Sequence, residues 1–295
     1  MPQEQILFGP GSSSFLYLIL SILKPKTVLI PTPCFSEYSY AAQRAGANIL
    51  EHPGAMEPDR FGEISAPPKF PPHTCVILSN PCNPTGKTAP AEMIHEWMNA
   101  IRDAEGHLIM DEAYADFREN GAEKYDSKMF DAYPLIVLRS PLKFFTLPGL
   151  RSGMAILPAD LAERVEADIP PWPLSTPAIA ATLATLDLKS QEIHDRRRQV
   201  RGWANTFQKA VRTVPGLSIV PSDIHFFMIR LPEFGPDGIS LAQQLEKKGL
   251  WIRTHAGMPG LTAHDIRVST RFPEENGKLI GALKNIYRST VTTLP

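Results

Sequence analysis

The chain has 295 residues, 43% of them hydrophobic and 21% charged, which is long enough to bury one large core or two domains. Its 30 Lys and Arg residues nearly balance 31 Asp and Glu residues, so the sequence argues against binding to nucleic acid or a membrane surface mainly through charge. The three cysteines cannot form a disulfide framework and show no metal-ligand spacing, and we therefore expect a cytoplasmic protein without a metal site.

The first half of the chain alternates short apolar strands with helices. A Gly/Ser turn at residues 9–14 opens an apolar helix at 15–23, which is too short to span a bilayer and lacks the flanks of a signal peptide. The pattern predicts strands at residues 27–31, 75–79, 107–110, 135–138 and 154–157, and helices at 37–45 and 91–104. Unalternating apolar strands separated by helices predict an α/β fold, with a mostly parallel sheet covered on both faces.

The pattern changes after residue 158. The sequence predicts a long helical region at 177–209, a strand at 225–231, a helix at 240–248, a strand at 250–253 and a terminal helix at 274–288. This order predicts a smaller α+β domain at the C-terminal end. We divide the chain into a large α/β domain, residues 1–187, and a small domain, residues 188–295.

Polar residues follow three predicted strands, at the edge where parallel sheets bind ligands. The motifs are Asn-Pro-Cys-Asn-Pro-Thr-Gly at 80–86, Asp-Glu-Ala-Tyr at 111–114, and Ser-Pro-Leu-Lys at 140–143 followed by Pro-Gly-Leu-Arg at 148–151. This ordered set resembles the class I/II aminotransferases, fold-type-I enzymes that use pyridoxal 5'-phosphate, over nearly the whole chain. The resemblance implies that fold, that cofactor, and a homodimer with active sites at the subunit interface, without a nucleic-acid or membrane partner.

The resemblance also implies roles for the motif residues. Lys143 matches the catalytic lysine that binds the cofactor as a Schiff base, which requires an amine kept partly neutral by apolar surroundings. Asp111 matches the acid that keeps the pyridine nitrogen protonated, and Asn83 and Tyr114 match the pair that contacts the phenolic oxygen. The remaining implied contacts to the ring and the phosphate are Gly11, Ser12, Ser13, Phe35, Ser140 and Arg151.

Each of these residues also has an ordinary structural interpretation. A surface lysine, a helix-capping aspartate, a turn asparagine and a packing tyrosine would give the same local patterns at 143, 111, 83 and 114. Phe35 also fits simple packing, and a Gly/Ser helix start is common. We expect structural roles for three nearby residues, Cys34, Cys82 and His255.

Two arginines in the second half of the chain are implied to bind the substrate. Arg267 matches the arginine that holds the α-carboxylate, beside Asn83, and Arg253 matches one that faces the substrate phosphate in a subgroup of the family. A surface arginine is the alternative at each position.

Four segments resemble the family members that decarboxylate L-threonine O-3-phosphate to (R)-1-amino-2-propanol O-2-phosphate in cobalamin biosynthesis. They are residues 31–38, 139–151, 171–175 and 252–261. The resemblance therefore implies a carboxy-lyase. The alternatives are an aminotransferase of the histidinol-phosphate type and a non-catalytic relative that binds the cofactor.

Family members carry an N-terminal segment before the phosphate-binding turn, which contributes to the substrate phosphate site and the dimer interface. This sequence begins close to that turn. We therefore treat the segment as absent and expect substrate binding and dimerisation to be affected.

Overall fold

Two β-sheets organise the part of the chain that the computed structural model describes, residues 1–55, 60–255 and 257–292. The first sheet has seven strands, β1 (Ile6–Gly9), β2 (Thr27–Thr32), β3 (Asn48–Pro53), β4 (Cys75–Ser79), β5 (His107–Asp111), β6 (Leu135–Arg139) and β7 (Gly153–Ile156). Their spatial order is β1-β7-β6-β5-β4-β2-β3. The five neighbouring strands β6, β5, β4, β2 and β3 run parallel to one another, whereas β7 is antiparallel to both β6 and β1. The predicted mostly parallel sheet is confirmed.

Helices cover both faces of this sheet, which explains why its central strands do not alternate. The helices of this part of the chain are α1 (Ser12–Leu23), α2 (Glu37–Arg44), α3 (Ala91–Asp103), α4 (Ser127–Ala132) and α5 (Ala159–Ala167). On one face, Phe15 and Ile19 of α1 share a buried core with Ile77 of β4. On the other face, Trp97 of α3 shares a second core with the neighbouring Val76 of β4. Successive strand residues therefore enter opposite cores, and both must be apolar.

The second sheet is smaller and antiparallel. Its strands are β8 (Ser218–Val220), β9 (Phe226–Arg230), β10 (Arg253–Thr254) and β11 (Asp265–Ser269), in the order β10-β11-β9-β8. The remaining helices are α6 (Thr176–Leu186), α7 (Ser190–Val211), α8 (Gly238–Glu246) and α9 (Pro273–Thr292). Phe207 of α7, Leu241 of α8 and Leu283 of α9 pack against this sheet in one core. The expected α+β unit is present, and the division at residues 187/188 stays a prediction.

Two predicted elements differ from the structure. The helical region at 177–209 is interrupted, because the side chain of Glu192 accepts a hydrogen bond from the backbone N–H of Lys189 at 2.9 Å and begins a new helix. In place of the strand predicted at 250–253, the structure has only the two-residue strand β10. Leu250 and Ile252 lie in the loop before it, and their apolar character is explained by packing against the core of the second sheet. Within the described residues, no helix combines the length and apolar character needed to cross a membrane.

Candidate active site

The carboxyl ends of the parallel strands bring the predicted motif residues to one edge of the first sheet. Phe35, Asn83 and Lys143 lie in the loops after β2, β4 and β6, and Asp111 is the last residue of β5. Ser79 pairs with Asp111 in register, and the N–H of Asn80 donates to the carbonyl oxygen of Asp111 at 2.9 Å. The loops therefore leave the sheet at the same level, as expected for a ligand site of a parallel sheet.

The turn before α1 lies in close contact with residues 151–153, at the start of β7. Gly11 has a φ of 100°, and a Cβ atom there would lie 2.8 Å from Nη2 of Arg151. A Cβ atom on Gly153 would lie 2.3 Å from the backbone nitrogen of Ser12, so this approach also requires glycine. The first amides of α1, at Ser12 and Ser13, thus lie beside a guanidinium, an arrangement suited to an anion such as a phosphate.

Asp111 accepts two hydrogen bonds, one at each oxygen of its side chain. The hydroxyl of Tyr38 donates to Oδ2 at 2.7 Å, and the backbone N–H of Ala113 donates to Oδ1 at 2.9 Å. Tyr38 is only 1% exposed, and burial together with the Asp111 charge raises the pKa of its phenol well above the ordinary range. The tyrosine therefore remains a donor, and the carboxylate fits the place beneath a protonated ring nitrogen.

Lys143 lies against an aromatic ring at the centre of the site. It ends a short 3₁₀ turn, Pro141–Lys143, and its Nζ lies 4.3 Å from the centroid of the Tyr114 ring. Ser140 is buried at the start of this turn. The Tyr114 ring packs edge-on against Phe226 of β9, with centroids 4.9 Å apart.

Arg267 connects the second sheet to the loop after β4. Its Nη1 donates to Oδ1 of Asn83, and its guanidinium carbon lies 4.7 Å from the centroid of the Phe226 ring. Lys143, Tyr114, Asn83 and Arg267 thus form one continuous group, with Phe226 at its centre. The predicted aromatic Phe35 lies at the adjacent loop, where its ring meets the edge of Tyr38 at 5.7 Å.

Arg253 lies directly opposite Arg267 in the antiparallel pair of β10 and β11. It is exposed and lines a cleft of about 760 Å³ between α2 and the second sheet, which Tyr40 and His255 also line. Burial lowers the pKa of the Arg267 guanidinium, and the charge of Arg253 acts in the same direction. The two positive charges therefore lie side by side on neighbouring strands, and Arg253 lines the cleft.

Two histidines near the arginines are held neutral. Burial, with the charges of Arg267 and Lys143, lowers the pKa of His225 to about 3, and its ring stacks on Phe117 with centroids 3.8 Å apart. Burial, with Arg267 and Arg253, lowers the pKa of His255 to about 4. Neither ring nitrogen of His255 has a hydrogen-bond partner among the described residues.

The cysteines near the site are protonated thiols. Burial raises the pKa of both Cys34 and Cys82, and the thiol of Cys82 donates to the carbonyl oxygen of Pro33 at 3.4 Å. Among the residues that the structure describes, no group of three or more His, Cys, Asp or Glu side chains could hold a metal ion. The structural roles expected for Cys34, Cys82 and His255 stay predictions.

The motifs did not mark Tyr38 and Phe226 as site residues. Tyr38 contacts a residue 73 positions away along the chain, and Phe226 approaches Tyr114 from the second sheet. A weak signal exists for Tyr38, since it lies three residues after Phe35 and therefore on the same side of a helical turn. No signal of this kind exists for Phe226, because only the packing of the two sheets brings it to the site.

Comparisons with known proteins place the chain in a family. The model for aminotransferases of class I and II matches residues 1–283. The chain is 31% identical over 291 residues to histidinol-phosphate aminotransferase 2 of Archaeoglobus fulgidus, covering 96% of this chain and 78% of that relative. It is 29% identical over 295 residues to the threonine-phosphate decarboxylase of Salmonella typhimurium, covering 97% and 78%. The crystal structure of the histidinol-phosphate aminotransferase from Clostridium acetobutylicum matches with a TM-score of 0.82 at 21% identity, covering 97% and 84%.

The chain therefore belongs to the class I and II aminotransferase family, has the fold type I architecture, and uses pyridoxal 5'-phosphate as its cofactor. The described residues fit this cofactor. They provide helix amides beside a guanidinium for a phosphate, a carboxylate with two donors for a ring nitrogen, and a half-buried lysine.

Proposed function

We propose that this chain decarboxylates L-threonine O-3-phosphate and releases CO₂ and (R)-1-amino-2-propanol O-2-phosphate. The observation that carries the proposal is the register of Arg253 opposite Arg267. Like charges directly opposite each other on neighbouring strands are unfavourable, so the pair suits a substrate with two anionic groups. L-threonine O-3-phosphate has both a carboxylate and a phosphate, whereas histidinol phosphate has only a phosphate. The 29% identity to a threonine-phosphate decarboxylase supports the same reaction.

The proposed roles of the ring-binding residues follow from their surroundings. The cofactor, when bound, supplies an electron sink for the electron pair that CO₂ leaves behind. Asp111, which accepts hydrogen bonds from Tyr38 and Ala113, would hold a proton at the ring nitrogen. Asn83 and Tyr114 bind the ring hydroxyl, and Phe35 packs on the ring.

The other residues hold the cofactor phosphate, bind the substrate and move a proton. The phosphate-binding group comprises Gly11, Ser12, Ser13, Ser140 and Arg151. Arg267 binds and orients the substrate carboxylate, and Arg253 binds its phosphate. Nζ of Lys143 binds the cofactor and returns a proton to the α-carbon after CO₂ has left, which balances the reaction.

A second candidate is an aminotransferase of the histidinol-phosphate type. It is favoured by the 31% identity to the relative from Archaeoglobus fulgidus. The two arginines would then bind the two carboxylates of a dicarboxylic amino-group donor or acceptor. The two reactions differ in their products, CO₂ in one case and a keto compound in the other.

The test is CO₂ release from carboxyl-labelled L-threonine O-3-phosphate by the protein loaded with pyridoxal 5'-phosphate. We expect release from the unaltered chain and none from Lys143→Ala, which should also lose the visible absorbance of lysine-bound cofactor. Lys128→Ala is the matched control, because Lys128 is an exposed lysine of α4 that belongs to none of the motifs. A keto product from histidinol phosphate, formed only with 2-oxoglutarate, would instead establish the aminotransferase. Cofactor binding through Lys143 without either reaction would overturn both.

We further propose that the protein is a cytoplasmic homodimer acting on a small phosphorylated substrate, without a nucleic-acid or membrane partner. The three cysteines are free thiols, which suits a reducing compartment.

The helix α6 packs against the turn that carries Lys143 and exposes Ile179, Leu183 and Leu186 at 45%, 57% and 68%. An apolar stripe of this kind beside the site supports burial against a second copy of the chain.

A further inference from the structure

Three consecutive arginines of α7 have three different surroundings. Arg196 is half-buried, Arg197 is only 9% exposed, and the side chain of Arg198 is 78% exposed and pairs with Asp195. Buried cations are costly unless the surrounding structure provides acceptors. The contacts of Arg196 and Arg197 therefore indicate what these two side chains do.

Arg196 holds the segment that follows Lys143. Its Nε donates to the carbonyl oxygen of Phe144 at 2.9 Å, and its Nη2 donates to Oγ1 of Thr146 at 2.7 Å. Its guanidinium carbon also lies 5.5 Å from the centroid of the Phe144 ring. One planar group thus fixes the backbone and a side chain within three residues of Lys143.

This segment needs such a restraint because its backbone is strained. Thr146 has a φ of 62°, in the left-handed region that β-branched residues rarely adopt. Its N–H donates to the carbonyl oxygen of Lys143 at 3.1 Å, so relaxation of Thr146 would move Lys143 directly.

Arg197 holds the neighbouring loop, which carries Tyr114. Its Nε donates to the carbonyl oxygen of Asp116 at 2.9 Å, and its guanidinium carbon lies 5.8 Å from the same Phe144 ring. The two arginines therefore join the loop after β5 to the loop after β6. These are the two loops that set the 4.3 Å distance between Nζ of Lys143 and the Tyr114 ring.

We propose that Arg196 and Arg197 are positioning residues that fix the Lys143 amine relative to the Tyr114 ring without touching substrate or cofactor. The same helix places Phe207 and Val211 in the core of the second sheet, so it also ties this geometry to the sheet that carries Arg267. The proposal rests on the proposed role of Lys143 as the cofactor-binding lysine.

The test uses the cofactor-loaded protein and follows the visible absorbance of lysine-bound pyridoxal 5'-phosphate as a function of pH. Arg196→Gln removes the charge and both donors to the segment, Arg196→Lys keeps the charge but loses the planar pair of donors, and Arg198→Gln is the matched control on the exposed side of α7. For both Arg196 variants we expect the midpoint of the titration to move by about 0.5 pH unit or more, because the environment of the Lys143 nitrogen changes. We also expect kcat for CO₂ release to fall on the order of 10-fold to 100-fold, with little change in KM. Arg198→Gln should behave as the unaltered protein in both measurements.

If the role of Arg196 is purely structural, its variants will have a lower thermal midpoint, but their absorbance titration and kcat will match those of Arg198→Gln. That result would overturn the proposal. If Arg196→Gln does not fold, Arg196→Lys decides by the same criteria. The variant Lys143→Ala separates the two proposals. If it keeps the visible absorbance, the assignment of Lys143 fails and this proposal fails with it. If it loses the absorbance while the Arg196 variants titrate normally, only the positioning role is wrong.

Discussion

The hydroxyl of Tyr38 donates a hydrogen bond to the carboxylate of Asp111 at the proposed ring-nitrogen site. The tyrosine is 1% exposed, so its hydroxyl is shielded from bulk solvent. Without that hydroxyl, one oxygen of the carboxylate would lose its donor, while the backbone N–H of Ala113 would still bind the other. The effect of Tyr38 is therefore exerted through Asp111 rather than on a ligand directly.

We predict that Tyr38→Phe weakens cofactor binding by roughly 10-fold, because a hydrogen bond to a charged group contributes about 1.5–3 kcal/mol and 1.4 kcal/mol corresponds to a factor of 10. Fluorescence titration of the cofactor-free apoprotein with pyridoxal 5'-phosphate measures the dissociation constant. Tyr17→Phe is the control, since the Tyr17 hydroxyl donates to Glu37 at 2.7 Å at the protein surface. Equal affinities for the two variants would show that Tyr38 does not act through Asp111.

Residues on the strand-end loops could be predicted from the sequence, whereas their neighbours could not. Asp111 ends an apolar strand, Asn83 and Lys143 lie in the loops after two others, and parallel pairing places strand ends together. The contact between Arg267 and Asn83 spans 184 positions along the chain, and no local pattern specifies it. The motifs thus predicted which loops meet, but the partners supplied by the second sheet depend on packing between the two sheets.

At the scale of elements, α6 differs from the other helices in that its apolar side chains are mostly exposed. Only Ala178 and Thr182 are buried, and the hydroxyl of Thr182 meets that of Ser152 at 2.9 Å. The exposed Ile179, Leu183 and Leu186 follow the spacing of one helical face. Exposing these apolar side chains to water costs free energy, and burial against a partner would remove that cost.

We predict that Leu183→Glu converts a dimer into a monomer, because it places a charge at the centre of this stripe. Sedimentation or light scattering of the cofactor-loaded protein measures the mass. Ile239→Glu is the control, since Ile239 is an exposed apolar residue of α8, at 49% exposure. A dimer that persists in Leu183→Glu would show that the stripe lies outside the subunit interface.

Strands buried on both faces were predicted with nearly correct ends, and strands with exposed residues were missed. The run at residues 75–79 coincides with β4, whose first four residues are all buried. By contrast, β3 lies at the sheet edge and has no buried residue, so its sequence carries little apolar signal. The break between α6 and α7 was missed because its signal is a hydrogen bond of Glu192 rather than a glycine or proline.

At the scale of the whole molecule, the neutral histidines couple stability to pH. The unfolded chain binds a proton at each histidine near pH 6.5, whereas folded His225 and His255 do so only at about 3 and about 4. The unfolded state therefore binds more protons between these values, and stability is present above pH 6.5 and is lost as the pH falls.

We predict that the free energy of unfolding in urea decreases from pH 7 to pH 5 by at most about 1.4 kcal/mol per pH unit for each of the two histidines. The double variant His225→Asn, His255→Asn should show a smaller decrease. His194→Asn is the control, because His194 is exposed on α7. If the double variant and the control lose stability equally on acidification, these histidines do not cause the pH dependence.

The antiparallel pairing of β1 with β7 joins two segments that the ribosome makes at widely separated times. Residues 6–9 pair with residues 153–156, and the Gly11 turn touches Arg151 and Gly153. While the ribosome is still adding residues before position 150, α1 has left the exit tunnel but the strand beside it does not yet exist. Such a long separation between contacting residues makes this closure slow. Capture of the cofactor phosphate by the first sheet therefore has to wait until β7 has been made, and a nascent chain truncated before β7 has no complete place to hold a phosphate.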